Sequence, residues 1–450
     1  VGEPLRMIHA LYSLALTCAQ PLVRAKLRRR ATQEPLYGEF VDERFGHYAQ
    51  PPQPPGELVW IHAVSLGETR AAAILAQQMR QRHPGLRLLL THGTATGREA
   101  GAKLLQPGDV QVWQPWDAPG PVQRFLRHFQ PRIGILMETE IWPNLAAACA
   151  RQGVPLVLAN ARLSDSSLRR SQQLAWLARP AYRRLTQVWA QTADDARRLQ
   201  LAGAQVTGVM GNLKFDATPD ADQLARAEAL RQTWKGGGIV LFASSREGEE
   251  LQLVESLKKI KIFSEYSSNH IAIKNRPEKY KNQAQIILVP RHPQRFDEVE
   301  RLLKAHGYGV IRRSDWGGAE AEALPVPQPQ TLWLGDSMGE MALYYGLADA
   351  ALLGGSFATL GGQNLIEAAA CGCPVVMGPH TFNFAEAAEQ ALAEGAARRV
   401  ADMDAGLRAA QDWLGDADSL RSASEQARGF ATRHQGATQR LLDALQPCLG

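Results

Sequence analysis

From Leu58 onward the chain alternates short apolar runs with longer segments of helical spacing, and it does so in two successive series. The first series predicts strands at Leu58–Ala63, Leu86–Thr91, Val110–Trp113, Ile133–Met137, Pro155–Ala159, Gln187–Gln191 and Val206–Met210. The second predicts strands at Gly238–Ala243, Gln285–Val289, Gly309–Arg312, Thr331–Leu334, Ala350–Leu353 and Pro374–Met377. Runs this short and uniformly apolar belong to strands covered on both faces, hence to parallel sheets. The pattern therefore predicts two doubly wound, Rossmann-like α/β domains, with a ligand cleft expected where the strand carboxyl ends face each other. Their boundaries read as 31–215 and 237–430, with a linker at 216–236 and a C-terminal helix at 431–450. The helices after about Asp402 are expected to cross back onto the first domain.

Ahead of these domains, Leu5 to Val23 is mostly apolar and free of acidic residues, and Arg24, Lys26, Arg28, Arg29 and Arg30 follow at once. A secretory signal carries its charge before the apolar run, so this order points instead to residues 1–30 as a membrane-associated helix with a basic flank. About 19 apolar residues just reach across a bilayer. His9, Ser13, Thr17 and Gln20 dilute the run, leaving three readings: spanning, lying in the interface, or packing as an amphipathic helix on the body of the protein. The basic cluster places that body on the cytoplasmic side. Met7 is a candidate start, residues 1 to 6 then being upstream sequence.

Composition adds limits. The 450 residues exceed the ~250–300 at which single cores stop growing, in keeping with two domains. A formal charge of +5 comes from arginines scattered along helices, so ordinary surface charge and attraction to anionic lipid or phosphorylated substrate are both open. No basic-aromatic stripe is present, which argues against nucleic acid. Cys18, Cys149, Cys371, Cys373 and Cys448 show neither zinc spacing nor a disulfide framework, and reduced cytoplasmic thiols are the simplest account. Between Glu255 and Gln285 the Arg/Ala-rich style gives way to Lys, Ile, Asn, Ser and Tyr; this reads as a divergent surface insertion or a graft, with no catalytic role.

The strongest local signal is Ala350 to Glu367, an apolar strand that runs into Gly354-Gly355 and Gly361-Gly362 and then into a helix. Glycines permit a tight turn and close backbone approach, and free N–H groups at a helix start favour a phosphate. Glu367, one turn into the helix, suits ribose hydroxyls, so a nucleotide or nucleotide-sugar is the expected ligand. A packing turn of any α/β domain is the plainer alternative.

Further polar strings fall at predicted strand ends: Ser65-Leu66-Gly67-Glu68, Met137-Glu138-Thr139-Glu140-Ile141-Trp142-Pro143, Gly211-Asn212-Leu213-Lys214-Phe215-Asp216, and Pro290-Arg291-His292-Pro293. With Ala243-Ser244-Ser245-Arg246-Glu247-Gly248-Glu249-Glu250, Gly335-Asp336-Ser337-Met338-Gly339-Glu340 and Gly378-Pro379-His380-Thr381-Phe382-Asn383-Phe384, this ordered set resembles the 3-deoxy-D-manno-octulosonic acid (Kdo) transferase family, from the N-terminal helix to about residue 390. The resemblance implies a GT-B glycosyltransferase, with two Rossmann-like domains facing across a cleft and an N-terminal membrane-associated helix. It further implies an inverting transfer of Kdo from CMP-Kdo to the lipid A precursor in lipopolysaccharide synthesis, on the cytoplasmic side of the inner membrane.

Carried over residue by residue, the family pattern makes Glu68 the base and Glu138 and Lys214 the stabilisers of transition-state charge. Read alone, Glu68 is equally a helix-start carboxylate, Glu138 a buried ion-pair partner and Lys214 an exposed linker lysine. The pattern puts the first domain on the acceptor and the second on CMP-Kdo, held by Pro290, Arg291, Met338, Gly339, Glu340, Asn364, Leu365, Ile366 and Glu367. Arg291 suits phosphate through its permanent charge and bidentate fork, although a surface arginine at a strand end is the plainer reading. No metal or other cofactor is expected, since Arg291 and the Gly361-Gly362 helix start could hold the departing phosphate. Ser245-Arg246 stands where the family commonly has Thr-His, and Gln363 where it has His, which alters hydrogen bonding near the donor. Other readings are a different GT-B nucleotide-sugar enzyme, either an epimerase or an N-acetylglucosaminyl transferase, and a non-catalytic, membrane-associated nucleotide-binding protein.

Overall fold

A computed structural model of the protein describes residues 3–234, 236–260, 284–317 and 323–449. Most of the lysine-rich segment expected as an insertion lies outside the described residues. The chain divides into two compact units, residues 1–216 with 434–450, and residues 217–433.

In the first unit the strands are β1 (Leu58–His62), β2 (Arg87–His92), β3 (Val110–Trp113), β4 (Ile133–Met137), β5 (Leu156–Ala161), β6 (Gln187–Ala190) and β7 (Gly208–Val209). They form one parallel sheet in the order β3-β2-β1-β4-β5-β6-β7. Alternate residues of a strand point to opposite faces, and the two faces bury separate cores. Leu58, Trp60, Leu136, Leu156 and Leu158 pack under Phe125, Phe129 and Leu145. Val59, Ile61, Ile135, Met137 and Val157 pack under Leu75 and Met79 of the helix Leu66–Arg82. That second face is completed from far along the chain, by Leu441, Leu442, Leu445 and Leu449 of the helix Ala437–Leu449.

The second unit repeats the plan with β8 (Ile239–Ser245), β9 (Gln285–Pro290), β10 (Gly309–Arg312), β11 (Thr331–Leu334), β12 (Ala350–Leu353), β13 (Val375–Met377) and β14 (Ala397–Arg399), in the parallel order β10-β11-β9-β8-β12-β13-β14. Val240, Phe242, Ile286, Leu288 and Leu352 face Leu253, Val254, Leu407 and Trp413. Residues 402–433 stay with this unit, so only the last helix returns to the first. The sequence pattern misses β14 because Ala-Arg-Arg has no apolar run; it forms by pairing with β13.

Strand order reverses between β1 and β4 in the first unit and between β8 and β12 in the second. Doubly wound sheets bind ligands at such points, outside the strand carboxyl ends. Non-glycine residues in the left-handed region lie at several of those ends: Glu138 after β4 (φ 59°), Asn160 in β5 (φ 51°) and Ser244 in β8 (φ 57°). The last two sit where the register shifts, a device that re-aims side chains.

The N-terminal segment forms two helices, Glu3–Cys18 and Gln20–Ala31, broken ahead of Pro21, which has no N–H for a continuous ladder. None of the described helices is long and apolar enough to cross a membrane. One face docks on the first unit: Tyr12 Oη donates to Asp117 Oδ2 (3.0 Å), Ser13 Oγ to Asn144 Oδ1 (2.8 Å), and Trp116 Nε1 to the Leu16 carbonyl (2.8 Å). The other face exposes Met7, Leu11 and Leu14, with Leu22 beyond the break.

Candidate active site

Glu68 owes its position to a helix start. Ser65 is the N-cap of Leu66–Arg82, its Oγ accepting the Glu68 N–H (3.4 Å) and donating to Glu68 Oε1 (3.0 Å). The Val64 N–H donates to Oε2 (2.8 Å), so the carboxylate reaches back much as in a capping box. The helix-start reading of Glu68 is therefore correct as far as it goes. It does not account for the charge state. Burial pushes the Glu68 carboxyl up to about 7 against the lowering by the Val64 N–H, and the negative charges of Glu138 and Glu140 add to the rise. His62 and His92 flank this loop, but burial pushes them down to about 3 and about 4, so both stay neutral.

Glu138 is 2% exposed, and its Oε1 accepts from Lys214 Nζ (2.7 Å) while its Oε2 accepts from Arg162 Nε (2.7 Å). Burial alone would raise its pKa, but those two cations hold it below the usual carboxylate range. The two carboxylates are thus pushed in opposite directions, Glu138 held anionic by its cations and Glu68 raised to about 7. Lys214 is not the exposed linker lysine that its position alone suggests, because its segment is tied down. The Leu213 N–H donates to Asn160 Oδ1 (3.1 Å), and the Asp216 carboxylate accepts the Gly436 and Thr438 N–H groups.

Arg162 and Asn160 escaped the sequence reading. Their available signal was a polar pair, Asn160-Ala161-Arg162, at the carboxyl end of β5, beside the strand that delivers Glu138. Glu140 escaped as well, as a third carboxylate whose pKa burial raises.

In the second unit, Pro290 closes β9 and the Arg291 N–H donates to the Ser245 carbonyl (3.0 Å). Met338 is exposed, and Gly339 turns at φ 83° with its carbonyl accepting from Gln223 Nε2 (2.9 Å). Glu340 Oε1 accepts from Arg313 Nη2 (2.8 Å). Asn364 N-caps the helix Leu365–Ala370, its Oδ1 accepting the Ile366 N–H (3.2 Å), while Leu365 and Ile366 are core. Burial raises the Tyr345 phenol well above its ordinary pKa, the charge of Glu367 adding to the rise and that of Arg291 opposing it.

Several amides of the glycine-rich loop are already taken: those of Gly355, Phe357 and Ala358 donate to the carboxylate of Glu249. The Gly362 N–H is also taken, by the Gly355 carbonyl (2.8 Å).

Two doubly wound sheets with chemistry at their strand ends define an α/β enzyme of the GT-B glycosyltransferase class. A solved glycosyltransferase of Rickettsia africae matches 88% of this chain and 99% of that one, with a TM-score of 0.53 at 13% identity, which shows the fold alone. The sequence profile described as 3-deoxy-D-manno-octulosonic-acid transferase (kdotransferase) matches residues 39–217. The 3-deoxy-D-manno-octulosonic acid transferase of Bordetella pertussis is 44% identical over 454 residues, covering 99% of this chain and 100% of that protein. The one of Haemophilus influenzae is 34% identical over 441 residues, covering 97% of each. The chain belongs to the 3-deoxy-D-manno-octulosonic acid (Kdo) transferase family.

Proposed function

We propose that this glycosyltransferase moves Kdo from CMP-Kdo to a hydroxyl of the lipid A precursor with inversion, Glu68 acting as the base. The observation that carries the reading is a carboxylate at a helix start, pushed up to about 7 by burial, together with Glu138, whose charge Lys214 and Arg162 hold. Glu68 takes the acceptor hydroxyl's proton as its oxygen bonds to the anomeric carbon of Kdo. The bond from that carbon to the phosphate oxygen breaks, and CMP leaves with the electron pair. Lys214 and Arg162 offset negative charge around the reacting centre, and Arg291 meets the phosphate of CMP. Glu367 suits the ribose, and the Met338–Glu340 turn and Asn364 complete the donor side. These side chains supply the charge neutralisation the reaction needs, so we assign no metal or other cofactor a part.

The exposed face formed by Met7, Leu11, Leu14 and Leu22, followed by Arg28, Arg29 and Arg30, supports peripheral attachment to the cytoplasmic side of the inner membrane. An epimerase would share the fold, but family membership favours transfer.

The test is a product assay with CMP-Kdo and lipid A precursor. Glu68→Gln keeps size and removes the proton acceptor, so turnover should fall by ~10²–10⁴-fold with CMP affinity retained. Near-normal turnover by the folded variant would remove Glu68 from the base role, and no Kdo-lipid product from the wild type would overturn the reading itself.

A further inference from the structure

Glu249 and Glu250 are adjacent and both fully buried, yet they are satisfied in opposite ways. Glu250 takes a cation: its Oε1 accepts from Arg295 Nη1 (2.7 Å) and from Ser245 Oγ (2.7 Å). The hydrogen bonds to the Glu249 side chain come from backbone amides, and none of the ion pairs among the described residues includes it. Its Oε2 accepts the N–H groups of Arg246 (2.9 Å) and Gly355 (2.7 Å), and its Oε1 those of Phe357 (3.0 Å) and Ala358 (3.2 Å).

Those four donors come from two loops, one after β8 and one after β12, the neighbouring strands at which the second sheet reverses its order. Converging backbone N–H groups make an anion site, and here the protein supplies the anion. The link continues toward the donor residues. Gly355, in the left-handed region at φ 71°, is held by Glu249 at its N–H and by the Gly362 N–H at its carbonyl, two residues before Asn364.

We infer that Glu249 is a positioning residue for the donor: its carboxylate fills the amide cradle of the glycine-rich loop, sets the loop that leads to Asn364 and Glu367, and leaves the CMP phosphate to side chains such as Arg291. This rests on the proposal that the second unit binds CMP-Kdo. An amide in place of the carboxylate would point an NH2 donor at N–H donors, and an alanine would leave the cradle empty.

The experiment compares Glu249→Gln, Glu249→Ala and Glu249→Asp with wild type in the full chain. It measures CMP affinity by calorimetry, KM and kcat for each substrate, melting temperature, and response to formate as a small carboxylate probe. Glu249→Gln should weaken CMP binding and raise the donor KM by on the order of tenfold, with the acceptor KM within about twofold of wild type. Formate should restore CMP affinity to Glu249→Ala and do nothing for wild type. Should the first two variants not fold, Glu249→Asp, whose shorter carboxylate cannot reach both loops, carries the same donor-specific expectation. Donor KM and CMP affinity unchanged in a folded variant would overturn the inference, as would tighter CMP binding by Glu249→Ala, which would show the amides accepting substrate phosphate. A wild type that does not bind CMP would instead overturn the functional proposal beneath it.

Discussion

The decisive contrast at the residue scale is between Glu68 and Glu138, two buried carboxylates pushed to opposite sides of their ordinary value. For Glu68 the folded protein binds the proton more tightly than the unfolded chain. Its contribution to stability is therefore fully present below its ordinary 4.5 and lost as pH rises through about 7. Wild type should lose stability across that window relative to Glu68→Gln, which melting curves at pH 5 and pH 8 can check. Turnover runs the other way, because the base must be ionised, so kcat/KM should climb with pH and level off above about 7. A profile already flat from pH 5 would show that another group accepts the proton.

Glu138 depends on its partners. Removing one partner of a buried ion pair costs ~3–5 kcal/mol, and Lys214→Met should fall at the lower end because Arg162 remains. The double variant Lys214→Met with Glu138→Gln should recover much of the lost melting temperature while transfer stays low, separating the stabilising role of the pair from its catalytic one. Recovery of activity along with stability would reduce both residues to scaffold.

Among the secondary-structure elements, two helices carry more than their sequences suggest. The final helix, Ala437–Leu449, closes one face of the first unit's core, and Leu445 is fully buried there. Leu445→Ala should cost ~2–5 kcal/mol, a loss visible in denaturant unfolding. Unchanged stability would mean that the helix is dispensable for that core. The N-terminal helix divides its work by face. Tyr12 and Ser13 hold it to the protein, whereas Leu11 and Leu14 touch little and remain exposed. Replacing Leu11 and Leu14 with Gln should reduce flotation with anionic vesicles by at least about tenfold, given ~1.5–3 kcal/mol for each large side chain buried in lipid, with transfer in detergent micelles kept. Vesicle binding equal to wild type would move the attachment surface elsewhere.

Across the whole molecule, the proposed base and the proposed donor contacts lie in different units, and their variants should separate kinetically. Arg291→Ala should weaken CMP and CMP-Kdo binding while leaving the pH dependence to Glu68, because it removes a contact to phosphate present in ground and transition states alike. Unchanged CMP affinity by calorimetry would remove Arg291 from the donor site.

Periodicity and turn chemistry were enough to place strands from Leu58 to Met377 and to put Glu68, Glu138, Lys214 and Arg291 at strand ends, because parallel strands buried on both faces must be short apolar runs and their exits must be polar. The strand Ala397–Arg399 was illegible for the same reason: it has no apolar run of its own and exists through its neighbour. Pairings across long separations were equally out of reach. Lys214 meets Glu138 from 76 residues away, and Glu249 reaches Gly355 from 106 away. Strand order and the two register shifts decide both meetings, and neither is a local property. Residue type and spacing thus settled which groups stand at the ends of the strands; the folded sheet alone settled which of them touch, and with that which carboxylate stays charged, which one is pushed up, and which one takes the amides of Gly355, Phe357 and Ala358.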